Sequence, residues 1–293
     1  MSVMEKVQEN KVLLSEVEIA SFLDQGFLVK EKIVSPATIE LLKKDVEKIA
    51  VGGYPSKTFK ALVQEKGKSV FESILCIHQP HTISPVITDY VKHPVIADIL
   101  SKITAAHLPW WDGSVKCMQS MFFVKPPTFP GQAWHQDEIY IPTRDRSLIG
   151  AWTAIDDATV ENGCLYVIPG SHKPGYLYPQ RPHNNPEEFD ASAESYGFDD
   201  SAEIAVEVPS GSVVFFNGYL LHRSRKNRSQ VYRRALVNHY MNAYSLLPWG
   251  LEKDPVNVAQ KDNRQVIAIS GKDPYEWKGY QPGVDAHLRS LGK

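Results

Sequence analysis

The chain has 293 residues, 43% of them hydrophobic, and a formal net charge of −2. That is enough apolar material for one large core or two small ones, and the near-neutral balance gives no general attraction to nucleic acid or to an anionic membrane. No apolar run approaches the length of a membrane span, residues 1–10 lack a signal-peptide pattern, and the three scattered cysteines, Cys76, Cys117 and Cys164, fit reduced thiols in a cytoplasmic protein rather than a disulfide frame.

Residues 1–14 are polar and aperiodic and are expected to fray. Ser15 and Glu18 read as a capping box for a helix carrying Ile19, Phe22 and Leu23, with Gly26 as its stop. Residues 27–29 read as a short strand. Ser35-Pro36 opens a second helix with Ile39, Leu42, Val46 and Ile49 at helical spacing. Residues 57–75 are expected to be helical, interrupted at Gly67, and Ser84-Pro85 and His93-Pro94 mark two more helix starts. His78 and His81 form a second polar cluster that reads as an exposed loop or, as the alternative, as reaching the pocket from the helical half. From residue 115 the pattern changes to strands: 115–124, 148–155, 164–168, 203–208, 212–216 and 232–243, separated by Gly, Pro, Asn and Asp. Many short strands with such turns argue a sandwich or barrel-like jelly roll, mainly β, braced by the helices of 1–114. Residues 173–202 form a long polar insertion, and a loop of that length in a compact domain usually has a function. The segment 244–293, with Trp249, Tyr275, Trp277 and Tyr280, reads as an irregular cover or as a contact between copies of the chain. The whole, 1–293, is expected to be one domain.

The chemistry concentrates in Trp134-His135-Gln136-Asp137 and, 85 residues after Asp137, His222. On an extended chain residues i and i+2 share a face, so His135 and Asp137 can grip one ion. A second imidazole would complete the two-histidine, one-carboxylate set of non-haem Fe(II) oxygenases, which leaves open coordination positions. Arg233 lies eleven positions after His222 on a strand-like run. A buried arginine is costly unless paired, and an anionic cosubstrate would pair it. Arg234, one step along the strand, must face the other way and is expected to be solvated. Arg225, Lys226 and Arg228 read as a solvated turn, since interleaved aromatics are missing.

These stretches resemble the phytanoyl-CoA dioxygenase family of Fe(II)- and 2-oxoglutarate-dependent oxygenases. The likeness also takes in residues 150–159, Glu161-Asn162-Gly163-Cys164-Leu165 and Pro169-Gly170-Ser171-His172, and runs in order over residues 16–243. The resemblance implies a double-stranded β-helix, a cupin-like jelly roll. It implies Fe(II) on His135, Asp137 and His222, with O2 and 2-oxoglutarate as cosubstrates. It implies Arg233, with Ser224 beside it, on the distal carboxylate of 2-oxoglutarate, and Trp152, Gln119 and Met121 nearby. Oxidative decarboxylation to succinate and CO2 would then drive hydroxylation of a small organic substrate. The carboxylate of Asp137 favours oxygen insertion over the halogenation carried out by relatives with a small residue there. Trp134, Tyr140, Arg144 and Arg146 flank the metal pair and are expected to face substrate. Two other readings stay open on the same fold: a metal-dependent isomerase or hydrolase that does not use 2-oxoglutarate, and a non-catalytic binding protein.

Overall fold

The structure, a computed structural model, describes residues 14–56, 59–63, 67, 69–247, 264–279 and 286–290. Residues 1–13, Trp249 and Tyr280 lie outside the described residues. The first helix, α1 (Glu16–Gln25), begins as expected: Ser15 Oγ accepts from Glu18 N at 3.2 Å, and the Glu18 carboxylate accepts from Ser15 N at 2.9 Å. It ends at Gly26 in the left-handed region, φ 81°, where a Cβ would sit 2.4 Å from His172 Nδ1. β1 (Phe27–Lys30) and α2 (Pro36–Ala50) follow. The described residues of 57–75 do not form the expected helix. They hold one short 3-10 turn, Val70–Ser73, and then the chain enters β2 (Ile74–His78). The run Ile-Leu-Cys-Ile is buried on both faces, so it lacks the alternation that marks a strand in sequence. α3 (Pro85–Val91) and α4 (Pro94–Ile103) start at the two prolines.

The strands that build the body of the fold are β3 (Val115–Lys125), β4 (Gln132–His135), β5 (Ile149–Ala154) and β6 (Leu165–Val167). β7 (Gln180–Pro182) and β8 (Ala193–Ser195) form a small ribbon inside the 173–202 insertion. β9 (Ile204–Val206), β10 (Val213–Asn217), β11 (His222–Ser224) and β12 (Arg233–Asn242) follow; of the strands that build the body, β4 and β11 are not among the ranges read from the sequence. The described part of the C-terminal segment is not an irregular cover: β13 (Ile267–Ser270) pairs with β3, and β14 (His287–Ser290) pairs with β2. The large sheet runs β1-β10-β5-β12-β3-β2-β14 with β13 beside β3, and the small sheet runs β4-β11-β6-β9.

Strand alternation sorts the side chains into two apolar layers. On β10, Val213 and Phe215 join the helices, packing with Ile39, Leu42, Val46, Ile96 and Leu100, while Val214 and Phe216 face the small sheet with Leu165, Val167 and Leu221. β12 divides the same way, Leu236 and Tyr240 outward and Ala235 and Val237 inward. Thus the helices brace one face of the large sheet, and the jelly-roll interior lies between the sheets. One register shift matters for the site. The partner of His239 is Gln119 and that of Tyr240 is Cys117, so Met118 is an extra, bulged residue in β3.

Candidate metal centre

His135 closes β4 and His222 opens β11, and the two are direct register partners. Their rings lie 4.1 Å apart between centroids. Asp137 follows in a short 3-10 turn, Asp137–Ile139. One ligand atom from each of the three lies within 4.8 Å of the others. Asp137 Oδ1 is 3.5 Å from both His135 Nε2 and His222 Nε2. The backbone sets the tautomers. His135 Nδ1 donates to Ala133 O at 2.8 Å, and His222 Nδ1 donates to Leu220 O at 3.0 Å. Both Nε2 lone pairs are thereby left facing the carboxylate, the form a metal requires. Burial, then the neighbouring His222, lowers the His135 pKa to about 4, so it is neutral at neutral pH. Burial pushes Asp137 up, but His222, His239 and His135 together outweigh it and hold the carboxyl well below its usual range. Two imidazole nitrogens and one ionised carboxylate converging on a buried point are a donor set that fits Fe(II).

The other carboxylate oxygen, Asp137 Oδ2, accepts from His239 Nε2 at 2.8 Å. The remaining His239 nitrogen, Nδ1, lies 3.4 Å from Gln119 Nε2 and accepts from it. Gln119 Nε2 is also 3.0 Å from Met121 Sδ. Sequence reasoning placed Gln119 and Met121 in the site and missed His239. The signal was present: His239 lies six positions after Arg233 on the same strand, hence on the same face.

Arg233, at the start of β12, is 5% exposed, with its guanidinium carbon 5.5 Å from the Trp152 ring. Burial lowers its pKa to about 10, and its Nε has no hydrogen-bond partner among the described residues. A second buried cation, Lys125, is its register partner. Burial and then Arg233 drive the Lys125 pKa well down. Lys125 Nζ donates to Arg225 O at 2.6 Å, Ser224 Oγ at 2.9 Å and Gly163 O at 3.3 Å. Ser224 Oγ also accepts from Gln132 N at 3.3 Å, so its own hydroxyl hydrogen is left to donate elsewhere.

All these groups line one cavity of about 550 Å³: the triad, Arg233, Ser224, Lys125, Trp152, Gln119, Met121 and His239. Tyr140 stands at its wall, with its hydroxyl 3.0 Å from Gln180 Nε2 of the insertion. Four expectations need correction. Trp134 lies next to His135 on a strand, so it points to the opposite face. There Arg223 covers it at 4.4 Å, and its indole N–H donates to Asp200 at 3.3 Å. Arg144 and Arg146 are exposed and do not line the cavity; Arg146 lies near the Tyr219 ring, 5.8 Å away. Asp145 between them is turned inward, accepting from Ser147 and Asn242. His78 and His81 are not an exposed loop: His78 lines the cavity, and His81 is 2% exposed, bonded to Ser120 Oγ at 2.6 Å. The basic residues after His222 are also not simply solvated. Arg223 and Arg225 share Glu203, Arg228 pairs with Glu188, and Arg234 makes a two-point pair with Asp156.

Comparison with known proteins agrees with this geometry. A family model described as phytanoyl-CoA dioxygenase (PhyH) matches residues 22–235. The peroxisomal phytanoyl-CoA dioxygenase of Bos taurus is 27% identical over 281 residues, covering 87% of this chain and 78% of that protein. Relatives from Caenorhabditis elegans, Arabidopsis thaliana and Oryza sativa are matched over only 51%, 56% and 56% of their own length. Among solved structures, the non-haem alpha-ketoglutarate-dependent carbocyclase SnoK superposes with a TM-score of 0.63 at 20% identity, over 88% of this chain and 97% of that one. EvdO2 from Micromonospora carbonacea, complexed with 2-oxoglutarate, gives 0.60 at 21% identity, over 82% and 96%. With a family match that spans both metal-binding strands and ends just beyond Arg233, the chain belongs to the phytanoyl-CoA dioxygenase family and is an Fe(II)- and 2-oxoglutarate-dependent oxygenase.

Proposed function

We propose that the protein hydroxylates a small organic molecule, with residues 1–293 acting as one catalytic domain. His135, Asp137 and His222 hold Fe(II); Arg233 and Ser224 grip the distal carboxylate of 2-oxoglutarate; Trp152, Gln119 and Met121 shape the space around it. Iron with 2-oxoglutarate and O2 supplies the oxidising power, releasing succinate and CO2. This chain's residues do the rest. His239 and Gln119 fix the rotamer of Asp137. Lys125 fixes Ser224. Trp152 and Phe216 keep water from the cosubstrate end. Tyr140 stands where substrate would enter.

The observation that carries this reading is Arg233, a buried cation with an unpartnered Nε, facing the triad's cavity. An isomerase or hydrolase on the same fold has no use for it. Arg223, Arg225, Arg228 and Arg234 are paired with Glu203, Glu188 and Asp156, which supports a small-molecule partner rather than nucleic acid. No helix of the described residues is long and apolar enough to cross a membrane, and three buried free cysteines suit a reducing cytoplasm. The test is turnover under labelled O2 with a metabolite panel, read by mass spectrometry for one added oxygen atom and for succinate. Asp137→Ala is expected to lose both. Succinate release undiminished in Asp137→Ala contradicts the assignment.

A further inference from the structure

Four non-glycine residues among the described ones hold their backbone in the left-handed region: Lys32, Gln79, Thr128 and Arg146. Three of them are exposed, but Gln79 is 2% exposed and lines the cavity of the metal centre. Its φ is 54° and its ψ 36°. A side chain of that length rarely adopts this conformation, and the next residue is Pro80, which pushes its predecessor toward extended backbone. Three backbone bonds hold it there. Gln79 N donates to Ser120 O at 2.8 Å, and Gln79 O accepts from Thr82 N at 3.0 Å and from Thr82 Oγ1 at 2.8 Å. The consequence is one of direction. On β2, Ile77 packs with the helices and His78 faces the cavity, so a continued strand would turn Gln79 back to the helices. The left-handed turn keeps it on the cavity side instead.

The side-chain amide is half used. Its Oε1 accepts from Ser120 N at 3.4 Å, which fixes the orientation of the amide. Its Nε2 donates to nothing among the described residues. Because Gln79 is otherwise buried, the space left to that donor is the cavity. Ser120 is the register partner of Asn238, beside His239, which bonds Asp137. Arg233 stands six residues from His239 along β12, roughly 20 Å at the rise of a strand. Gln79 thus belongs to the metal end of the cavity, two strands across from His239 and roughly 10 Å from it. It is remote from the end where Arg233 would grip 2-oxoglutarate.

We propose that Gln79 is a specificity-determining residue, whose Nε2 donates to a neutral oxygen of the substrate, a carbonyl or a hydroxyl, and whose backbone is held in an unfavourable conformation to aim that amide. For the fold alone, glycine would serve better, since it adopts the left-handed region freely. The one bond the side chain makes to the fold is long, at 3.4 Å. Backbone held against its preference beside a reaction centre is where such a cost has a functional return. An uncharged N–H suits an uncharged oxygen; an anion would gain more from a cation. With Gln79 on the order of 10 Å from His239, the group it reads lies several bonds from the carbon that is oxidised. The proposal rests on reading the cavity as an oxygenase site, and it adds to that reading a chemical feature of the substrate.

The experiment loads the full chain anaerobically with Fe(II) and 2-oxoglutarate and titrates it, by ligand-observed NMR, with 2-pentanone and with 2-chloropentane. The two have similar shape, and only the ketone is a good acceptor. Gln79→Gly and Gln79→Ala are each expected to weaken the ketone by about fivefold or more and to leave the chloride within about twofold. Their 2-oxoglutarate affinity, expected within about twofold of wild type, shows that the cosubstrate end survives. In urea denaturation the glycine variant is expected to have a midpoint at or above wild type and above the alanine variant, because glycine relieves the backbone and alanine does not. A wild type with no more affinity for the ketone than the glycine variant has overturns the proposal. So does a loss shared equally by the chloride, which would mark packing alone, or a glycine midpoint below that of alanine, which would make Gln79 a residue of the fold. Should the wild type fail to bind 2-oxoglutarate, the oxygenase reading falls by itself, and the same ketone-against-chloride comparison on metal-free protein still decides this one.

Discussion

Replacing Arg233 with methionine separates stability from function. The guanidinium is 5% exposed, and burial lowers its pKa from an ordinary 12.5 to about 10. A change of that size corresponds to about 3 kcal/mol of unfavourable burial for the charged form. The penalty is present in full at neutral pH and is relieved only as pH rises past about 10. The contact with the Trp152 ring returns about 1–2 kcal/mol of it. Arg233→Met is therefore expected to make the ligand-free protein more stable by about 1–2 kcal/mol, because an apolar side chain of similar length replaces a buried cation without its counter-ion. Neighbouring Lys125, whose pKa Arg233 lowers, gains from the same change. The effect on 2-oxoglutarate is opposite: losing a buried charge pair costs about 2–5 kcal/mol, roughly 30-fold or more in affinity. Urea denaturation without cosubstrate and a calorimetric 2-oxoglutarate titration measure the two. A variant that is less stable than wild type and binds 2-oxoglutarate normally would refute the reasoning, and Arg233 would be a structural residue.

His239→Phe is expected to lower Fe(II) affinity by about 10–100-fold in a chelator competition, since Asp137 loses the donor that orients it; His239→Gln should restore part of that, and an unchanged affinity removes His239 from the site. Gly131→Ala would put a Cβ 1.8 Å from the Ser224 carbonyl oxygen, forcing β4 and β11 apart at a cost of about 1–3 kcal/mol or more, with weaker 2-oxoglutarate binding through the displaced Ser224; a variant with wild-type stability contradicts this close approach. His78 and His81 both have pKa values lowered from 6.5 to about 4, mainly by burial. Below pH 6.5 the unfolded chain takes up protons that the folded one refuses, so stability should fall as pH drops from about 6.5 to about 4, by up to about 3 kcal/mol per histidine. His81→Gln should flatten that slope in urea midpoints measured across the range; a slope identical to wild type would show that His81 does not contribute.

The sequence was most legible where one short stretch carries the signal. The Ser15 capping box, the proline helix starts and the alternation of β12 are local, and each appears where local chemistry places it. The triad was legible for a related reason: His135 and Asp137 lie two residues apart, and the family pattern names the partner strand. Trp134 shows how the same reasoning goes wrong, since adjacency to His135 in sequence means the opposite face in a strand. His239 was overlooked because a histidine beside Asn238 and Tyr240 looks like core until Asp137, 102 positions away, is seen to accept from it. β2 and β14 were invisible for another cause. Their pairing joins segments more than two hundred residues apart, and neither β2's apolar run nor β14's His-Leu-Arg-Ser announces a strand by itself. The Arg144 and Arg146 expectation came from proximity along the chain, whereas the cations that line the far end of the cavity, Arg264 and Arg289, come from its last thirty residues.

Anaerobic addition of Fe(II) and then 2-oxoglutarate to the purified protein tests the central claim most directly. The weak visible absorption of the iron–2-oxoglutarate chelate should develop and saturate with one equivalent of cosubstrate in the wild type. It should be lost in Asp137→Ala and should need roughly 30-fold or more 2-oxoglutarate in Arg233→Met. A wild-type protein that binds Fe(II) but develops no such band, or an Arg233→Met variant that saturates as the wild type does, contradicts the account.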